Sequence, residues 1–158
     1  MVGQQPEPLP QVKIIVDTNI IFSALLNSNG SIGALLFNSG THLEFYSCAY
    51  MRQEITRHWP KLQKISKLSA AELQEAYEKL LLRIRFIHEG LIPTAIWEQA
   101  EQTVQGIDPD DIAFVALTQY LQGALWTGDK VLYDGLKARQ FDTVWLTADL
   151  LAYRAQLG

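Results

Sequence analysis

Apolar positions along the chain fall into short runs of strand length alternating with longer segments of helical spacing. Val12 to Val16 is apolar apart from Lys13 and runs into Asp17-Thr18-Asn19, which predicts a buried strand ending in a turn. Ile20 to Leu26 and Ile32 to Phe37 are helical in character on either side of a turn cluster from Asn27 to Ser31, and Gly40 closes the second. Leu43 to Ser47 alternates and is rich in aromatic residues, as a second strand would be. Ala49 to Trp59 then reads as a helix with Ser47 as its N-cap and Pro60 as its stop, followed by a basic linker carrying Lys61, Lys64 and Lys67.

Ser69-Ala70-Ala71-Glu72 is a capping-box signature that opens a helix to about Leu82, and Arg85 to His88 is a short third strand. Pro93 starts a helix that runs to about Val104. Asp108-Pro109-Asp110-Asp111 suits a helix N-terminus. The segment after it, Ile112 to Leu121, is apolar nearly all round and predicts a central buried helix ended by Gly123. Ala124 to Thr127 is a strand stopping at Gly128-Asp129, Lys130 to Lys137 a short helix, and Thr143 to Leu146 a last strand before a terminal helix capped by Thr147. Strands alternating with helices predict an α/β fold: a three-layer α/β/α sandwich with a mostly parallel sheet of about five strands.

Length and composition narrow this picture. A chain of 158 residues with 48% hydrophobic content predicts one globular domain over residues 11–158, preceded by a disordered tail from Met1 to Pro10 that contains Gly3, Pro6, Pro8 and Pro10. No apolar run approaches the roughly 20 residues that span a bilayer, and the N-terminus lacks the order of a secretory signal, so a cytoplasmic protein without membrane contact is expected. The lone Cys48 forms no intramolecular disulfide and reads as a small buried residue. Against 17 acidic residues stand 13 Lys and Arg, a formal charge of -4 that weakens any case for indiscriminate nucleic-acid binding. Cations bound to a carboxylate cluster reverse that sign locally, so a nuclease is not excluded.

The candidate chemistry lies in those carboxylates. In an open parallel sheet, sites form outside the carboxyl ends of the strands where strand order reverses. Asp17 and Asp129 fall at two such ends, and Asp111 in the first turn of the preceding helix reaches toward the same end. Several carboxylates within a few ångströms repel unless a cation or proton compensates, and hard cations such as Mg²⁺ or Mn²⁺ suit an all-oxygen site. Such a site serves phosphodiester hydrolysis without a His, Ser or Cys nucleophile. Each acid also has a purely structural alternative: Asp17 satisfying turn amides, Asp111 as a helix cap, and Asp129 as a turn residue.

Other residue types offer less. His42, His58 and His88 show no metal-binding spacing and read as surface or cap residues, and the glycines form neither a dinucleotide fingerprint nor a phosphate loop. Lys61, Lys64 and Lys67, with Arg52, Arg57 and Lys130, form either a groove guiding RNA phosphates or an ordinary solvated face, so no RNA-binding residue is assigned. Trp97, Trp126 and Trp145 read as core, and Trp59, among basic residues, as a stacking candidate as well.

Four segments together resemble the PIN-domain family: Ile14-Ile15-Val16-Asp17-Thr18-Asn19, Glu54 in the helix after the second strand, Asp108-Pro109-Asp110-Asp111, and Trp126-Thr127-Gly128-Asp129. The likeness extends from about Val12 to Leu151. It implies a Mg- or Mn-dependent endoribonuclease acting on single-stranded RNA, with Asp17, Glu54, Asp111 and Asp129 as the acidic set. Asp17, Asp111 and Asp129 would be the metal ligands and Thr18, Asn19, Asp110 and Thr127 their supports. Asp111 is preferred over Asp110 because Asp111-Ile112-Ala113-Phe114-Val115-Ala116 looks most like the family's aspartate before a small apolar helix, while Asp108 starts the turn. Glu54 rests on the resemblance alone. Many small members are toxins held by an antitoxin and often dimeric, which makes an antitoxin partner and a homodimer expectations here too. Two rivals are an inactive PIN-like interaction module and a phosphatase similar to the haloacid dehalogenase family; the latter requires an aspartate where this chain has Asn19.

Overall fold

The computed structural model describes residues 11–27 and 29–157, so the tail expected over Met1 to Pro10 lies outside the described residues. In chain order the elements are β1 (Val12–Val16), α1 (Thr18–Leu26), α2 (Ser31–Asn38), β2 (Leu43–Cys48), α3 (Ala49–Ser66), α4 (Ala70–Leu81), β3 (Ile84–Ile87), α5 (Thr94–Val104), α6 (Ile112–Leu121), β4 (Ala124–Trp126), α7 (Lys130–Ala138), β5 (Val144–Trp145) and α8 (Thr147–Gln156). Single 3-10 turns at Glu89–Leu91 and Pro109–Asp111 precede α5 and α6.

The strands form one sheet in the order β3-β2-β1-β4-β5, and every neighbouring pair is parallel. From β1 the chain steps outward through β2 to β3, then crosses back to β4 and β5. Right-handed crossovers therefore place α1 to α4 on one face and α5 to α7 on the other, giving three layers. The reversal falls between β1 and β4. Ile14, Ile15 and Val16 of β1 are fully buried, as a central strand covered on both faces requires. Six consecutive residues of α6, Ala113 to Thr118, are buried as well, and α6 packs across β1, β2 and β4 with α5 behind it.

Three local expectations are corrected. Pro60 does not stop α3, which runs on to Ser66 and ends with Lys67 in the left-handed conformation. The buried stripe of Met51, Ile55 and Leu62 continues across the proline, so packing against the core outweighs the one backbone bond lost at an exposed position. Lys61 and Lys64 consequently sit on a helix rather than in a linker. Ser47 is not the N-cap of α3: its hydroxyl donates to the Val16 carbonyl at 3.0 Å, which ties β2 to β1, and Cys48 occupies the cap position. The terminal helix is capped not by Thr147 but by Asp149, whose Oδ2 accepts from the Leu146 amide at 2.9 Å. The Thr147 hydroxyl instead accepts from the Trp126 indole N–H at 3.0 Å.

The end of α6 is also built differently from the simple glycine stop. Gln122 takes the left-handed conformation at φ 55°, and Gly123 is needed for closeness rather than for its φ. A Cβ there would land on the Lys13 carbonyl oxygen and within 2.7 Å of Ile15 Cδ1, forcing β4 away from β1. Gly123→Ala is expected to destabilise the protein by about 1–3 kcal/mol, the usual range for overpacking, and to lower the thermal unfolding midpoint by several degrees in a calorimetric scan.

Candidate active site

The switch point between β1 and β4 brings Asp17 and Asp129 together. Asp17 directly follows β1, and its amide donates to the Trp126 carbonyl at 3.1 Å, so the first residue beyond β1 is still tied to β4. Although it holds the N-cap position of α1, its side chain makes no capping bond. Oδ2 instead accepts from Thr127 Oγ1 at 2.7 Å and from Asn19 Nδ2 at 3.2 Å. The Thr18 amide also donates to this carboxyl, so the turn after β1 and the loop after β4 share it. Asp129 does cap α7, but through Oδ1 alone, which accepts from the Val131 and Leu132 amides at 3.0 and 3.2 Å.

Thr127 and Asn19 join the two loops. The fully buried Thr127 hydroxyl, donating to Asp17, also accepts from Asn19 Nδ2 at 3.3 Å and from the Asp129 amide at 3.0 Å. Asn19 Oδ1 accepts from the Gly128 amide at 2.8 Å. Thr18 donates to Glu54 Oε1 at 2.5 Å, so Glu54 is drawn in from α3 by the residue after Asp17. Of the four residues expected as supports, Thr18, Asn19 and Thr127 bond to acids of the cluster or to the loops that carry them, whereas Asp110 is exposed and its amide bonds to Asp108.

Asp111, at the end of the 3-10 turn before α6, leaves Oδ2 buried and without a hydrogen-bond partner. Burial, and after it the charges of Asp17, Asp108, Asp129 and Glu54, push its carboxyl up to about 8. Burial raises Asp17 to about 6, opposed by bonds from Thr127 and the Thr18 amide and reinforced by the Glu54 and Asp129 charges. Glu54 is shifted upward by burial, with Thr18, Arg57 and His58 acting against the shift. The neighbouring aspartates divide: Asp111 faces the cluster, Asp108 Oδ1 accepts from the Asp110 amide at 2.9 Å, and the exposed Asp110 sits toward Glu54 and Tyr50.

Oxygen donors that repel one another, with one buried oxygen left unpaired, fit a hard divalent cation. Among the described residues no three His, Cys, Asp or Glu side chains stand close enough together, as they lie, to form a metal-binding group. Cys48 is no rival centre, because burial, followed by the charge of Glu89, pushes its thiol up to about 12. Sequence reasoning did not single out Tyr50, whose phenol is raised by burial and by the charges of Glu54 and Asp110 while facing Arg57. Its only sequence signal is its place one turn before Glu54 on the same helix face.

The sequence profile of the PIN domain matches residues 15–149, the greater part of the chain. The chain belongs to the PIN-domain family. Members of that family are generally nucleases and typically use divalent metals. Its fold is similar to a chain in the crystal structure of VapBC2 from Rickettsia felis bound to a DNA fragment from its promoter, with a TM-score of 0.61 and 14% sequence identity over 85% of this chain and 96% of that one. No curated protein matches the chain in sequence. No single helix among the described residues is long and apolar enough to cross a membrane.

The charge cluster sets the pH dependence of stability. Asp17 and Asp111 bind protons more tightly folded than unfolded, where an aspartate titrates near 3.8. Without metal, folding is therefore unpenalised below about pH 4 and progressively disfavoured as pH rises through about 6 and 8. The Asp17 shift alone corresponds to roughly 3 kcal/mol at 1.4 kcal/mol per unit. In chelator the unfolding midpoint should fall from pH 5 to pH 8.5, and Asp111→Asn should be more stable than the parent at the higher pH. A parent midpoint that rises over the same range would contradict a repulsive cluster.

Proposed function

We propose that this PIN domain is a metal-dependent endoribonuclease that hydrolyses phosphodiester bonds of single-stranded RNA at the Asp17, Glu54, Asp111 and Asp129 cluster. The observation carrying this reading is the buried, unpaired Oδ2 of Asp111 set against the charges of the other three acids. In it, Asp17, Asp111 and Asp129 would hold Mg²⁺ or Mn²⁺. When bound, the cation supplies neutralisation of charge on the scissile phosphate and activation of the attacking water. Thr127 orients Asp17, Thr18 orients Glu54, and Asn19 keeps the loops after β1 and β4 in register. Glu54, raised in pKa and half-buried, is placed to take a proton from the attacking water.

The RNA is supported along α3. Arg57, Lys61 and Lys64 are exposed and lie four and three residues apart, which aligns them on one stripe leading away from Glu54. The haloacid dehalogenase alternative loses its footing, since Asn19 bridges two loops and leaves no acid/base at its position. Likeness in fold to a chain of the VapBC2 complex supports reading this protein as a toxin-type nuclease with an antitoxin partner; a homodimer acting in the cytoplasm completes the proposal.

With Mn²⁺ or Mg²⁺ the purified protein should cut single-stranded RNA, lose cutting in chelator, and lose it in Asp17→Asn with circular dichroism unchanged. An Asp17→Asn protein that still cuts RNA sinks the assignment. Thr127→Val should cost roughly 10–100-fold in activity, as outer-shell partners of metal ligands do. Lys61→Gln with Lys64→Gln should weaken RNA binding and reduce the salt slope by about 0.7 for each phosphate contact removed. If the protein neither binds metal nor cuts RNA, the inactive interaction module replaces this reading.

A further inference from the structure

Beside the carboxylates lies a cleft of about 340 Å³ walled by Tyr50, Trp97, Ile112 and Ala113, with Glu89 and Asp110 on its lining. That volume is at the small end of ligand pockets, which begin near roughly 300 Å³. The cleft and the carboxylate cluster share an edge. Asp110 belongs to the lining and adds its charge to that of Glu54, while the Tyr50 phenol feels both acids.

We infer that this cleft receives a nucleobase of the RNA next to the bond cut at the carboxylates, with Trp97 and Tyr50 as the residues that contact it. The inference rests on the ribonuclease reading and adds a place for the base. Both aromatic side chains are half-buried, so each is anchored in the fold while still lining the opening. Tyr50 is held at two points: its ring packs against Phe114 with centroids 6.2 Å apart, and its amide donates to Glu89 Oε1 at 2.9 Å. A wall fixed before the ligand arrives loses little entropy on binding.

Charge decides what enters. Glu89 and Asp110 repel phosphate, so the backbone stays outside, where Arg57 offers it a cation beside the Tyr50 hydroxyl. A base is uncharged, presents a π-face to the aromatic walls, and carries N–H groups that carboxylates accept. The apolar Ile112 and Ala113, at the start of α6, complete the surface without competing polar groups.

The test uses Asp17→Asn protein, which should bind RNA without cutting it. Fluorescence anisotropy is measured with a short single-stranded RNA and with copies carrying one abasic position scanned along it. Loss of one stacked base at about 1.4 kcal/mol, within the usual range, corresponds to about tenfold in affinity. One abasic position should therefore weaken binding about tenfold, Trp97→Ala should weaken intact RNA by a similar factor, and in that variant the abasic position should have no further effect. Trp97→Phe should restore the profile, and Trp97→Leu, which keeps apolar bulk without a π-face, should not. An unchanged abasic profile in Trp97→Ala and Trp97→Leu overturns the inference. If the parent cuts RNA but shows no such coupling, the cleft assignment alone falls. If coupling is present but the parent never cuts RNA, the catalytic reading falls and the cleft stands; if RNA is not bound at all, both fall.

Discussion

Taking Asp17 and Asp111 out of water beside Asp129 and Glu54 costs free energy, and the cost is visible in carboxyls pushed to about 6 and about 8. Something has to hold them there. The holding force is apolar burial around them: the fully buried Ile14, Ile15 and Val16 of β1, and an α6 whose Ala113 to Thr118 are enclosed on all sides. Strand and helix end at the acids, so packing along their length fixes where the charges stand. Stability elsewhere in the core is thus set against repulsion at one rim, which a bound hard cation would relieve.

The polar residues of the rim divide this work. Thr127 and Asn19 make the loops after β1 and β4 a single unit, since Asp17, Asn19, Thr127, Gly128 and Asp129 are all linked through their bonds. Thr18 does the same between β1 and α3 by holding Glu54. Displacing any one loop would disturb acids on the others. Against this network the unpaired Oδ2 of Asp111 stands out, because the other polar groups around it have found partners.

Around the acids the surface is divided by charge. A formal charge of -4 hides an arrangement in which acids cluster at one end of the sheet and Arg57, Lys61 and Lys64 run along one helix. The continuation of α3 through Pro60 is what creates this stripe, because a break there would have scattered the lysines in a loop. On the other side of Tyr50 the lining is aromatic and acidic. The proposed RNA substrate would use that division, with its backbone on the basic stripe and a base in the cleft.

The sequence by itself determined the order of elements, the α/β class and the placement of Asp17 and Asp129 after apolar strands, because strand and helix periodicity and buried runs are local signals. The PIN-domain resemblance was legible too, through short segments that lie within the matched region or at its edge. What stayed out of reach depended on neighbours distant in the chain. Periodicity cannot tell how Asp110 and Asp111 differ in burial and neighbours; in the fold Asp111 has a buried oxygen among the charges of Asp17, Asp129 and Glu54, while Asp110 is exposed beside Glu54 and Tyr50. Proline propensity alone ends a helix at Pro60, whereas burial of Leu62 carries it on. Ser47 looks like a helix cap until β1 lies beside it and offers the Val16 carbonyl. Tyr50 at the start of α3 and Trp97 in α5 are distant in the chain, and only the fold brings them to the lining of one cleft. Local chemistry names the residues that can act, and long-range packing selects those that meet.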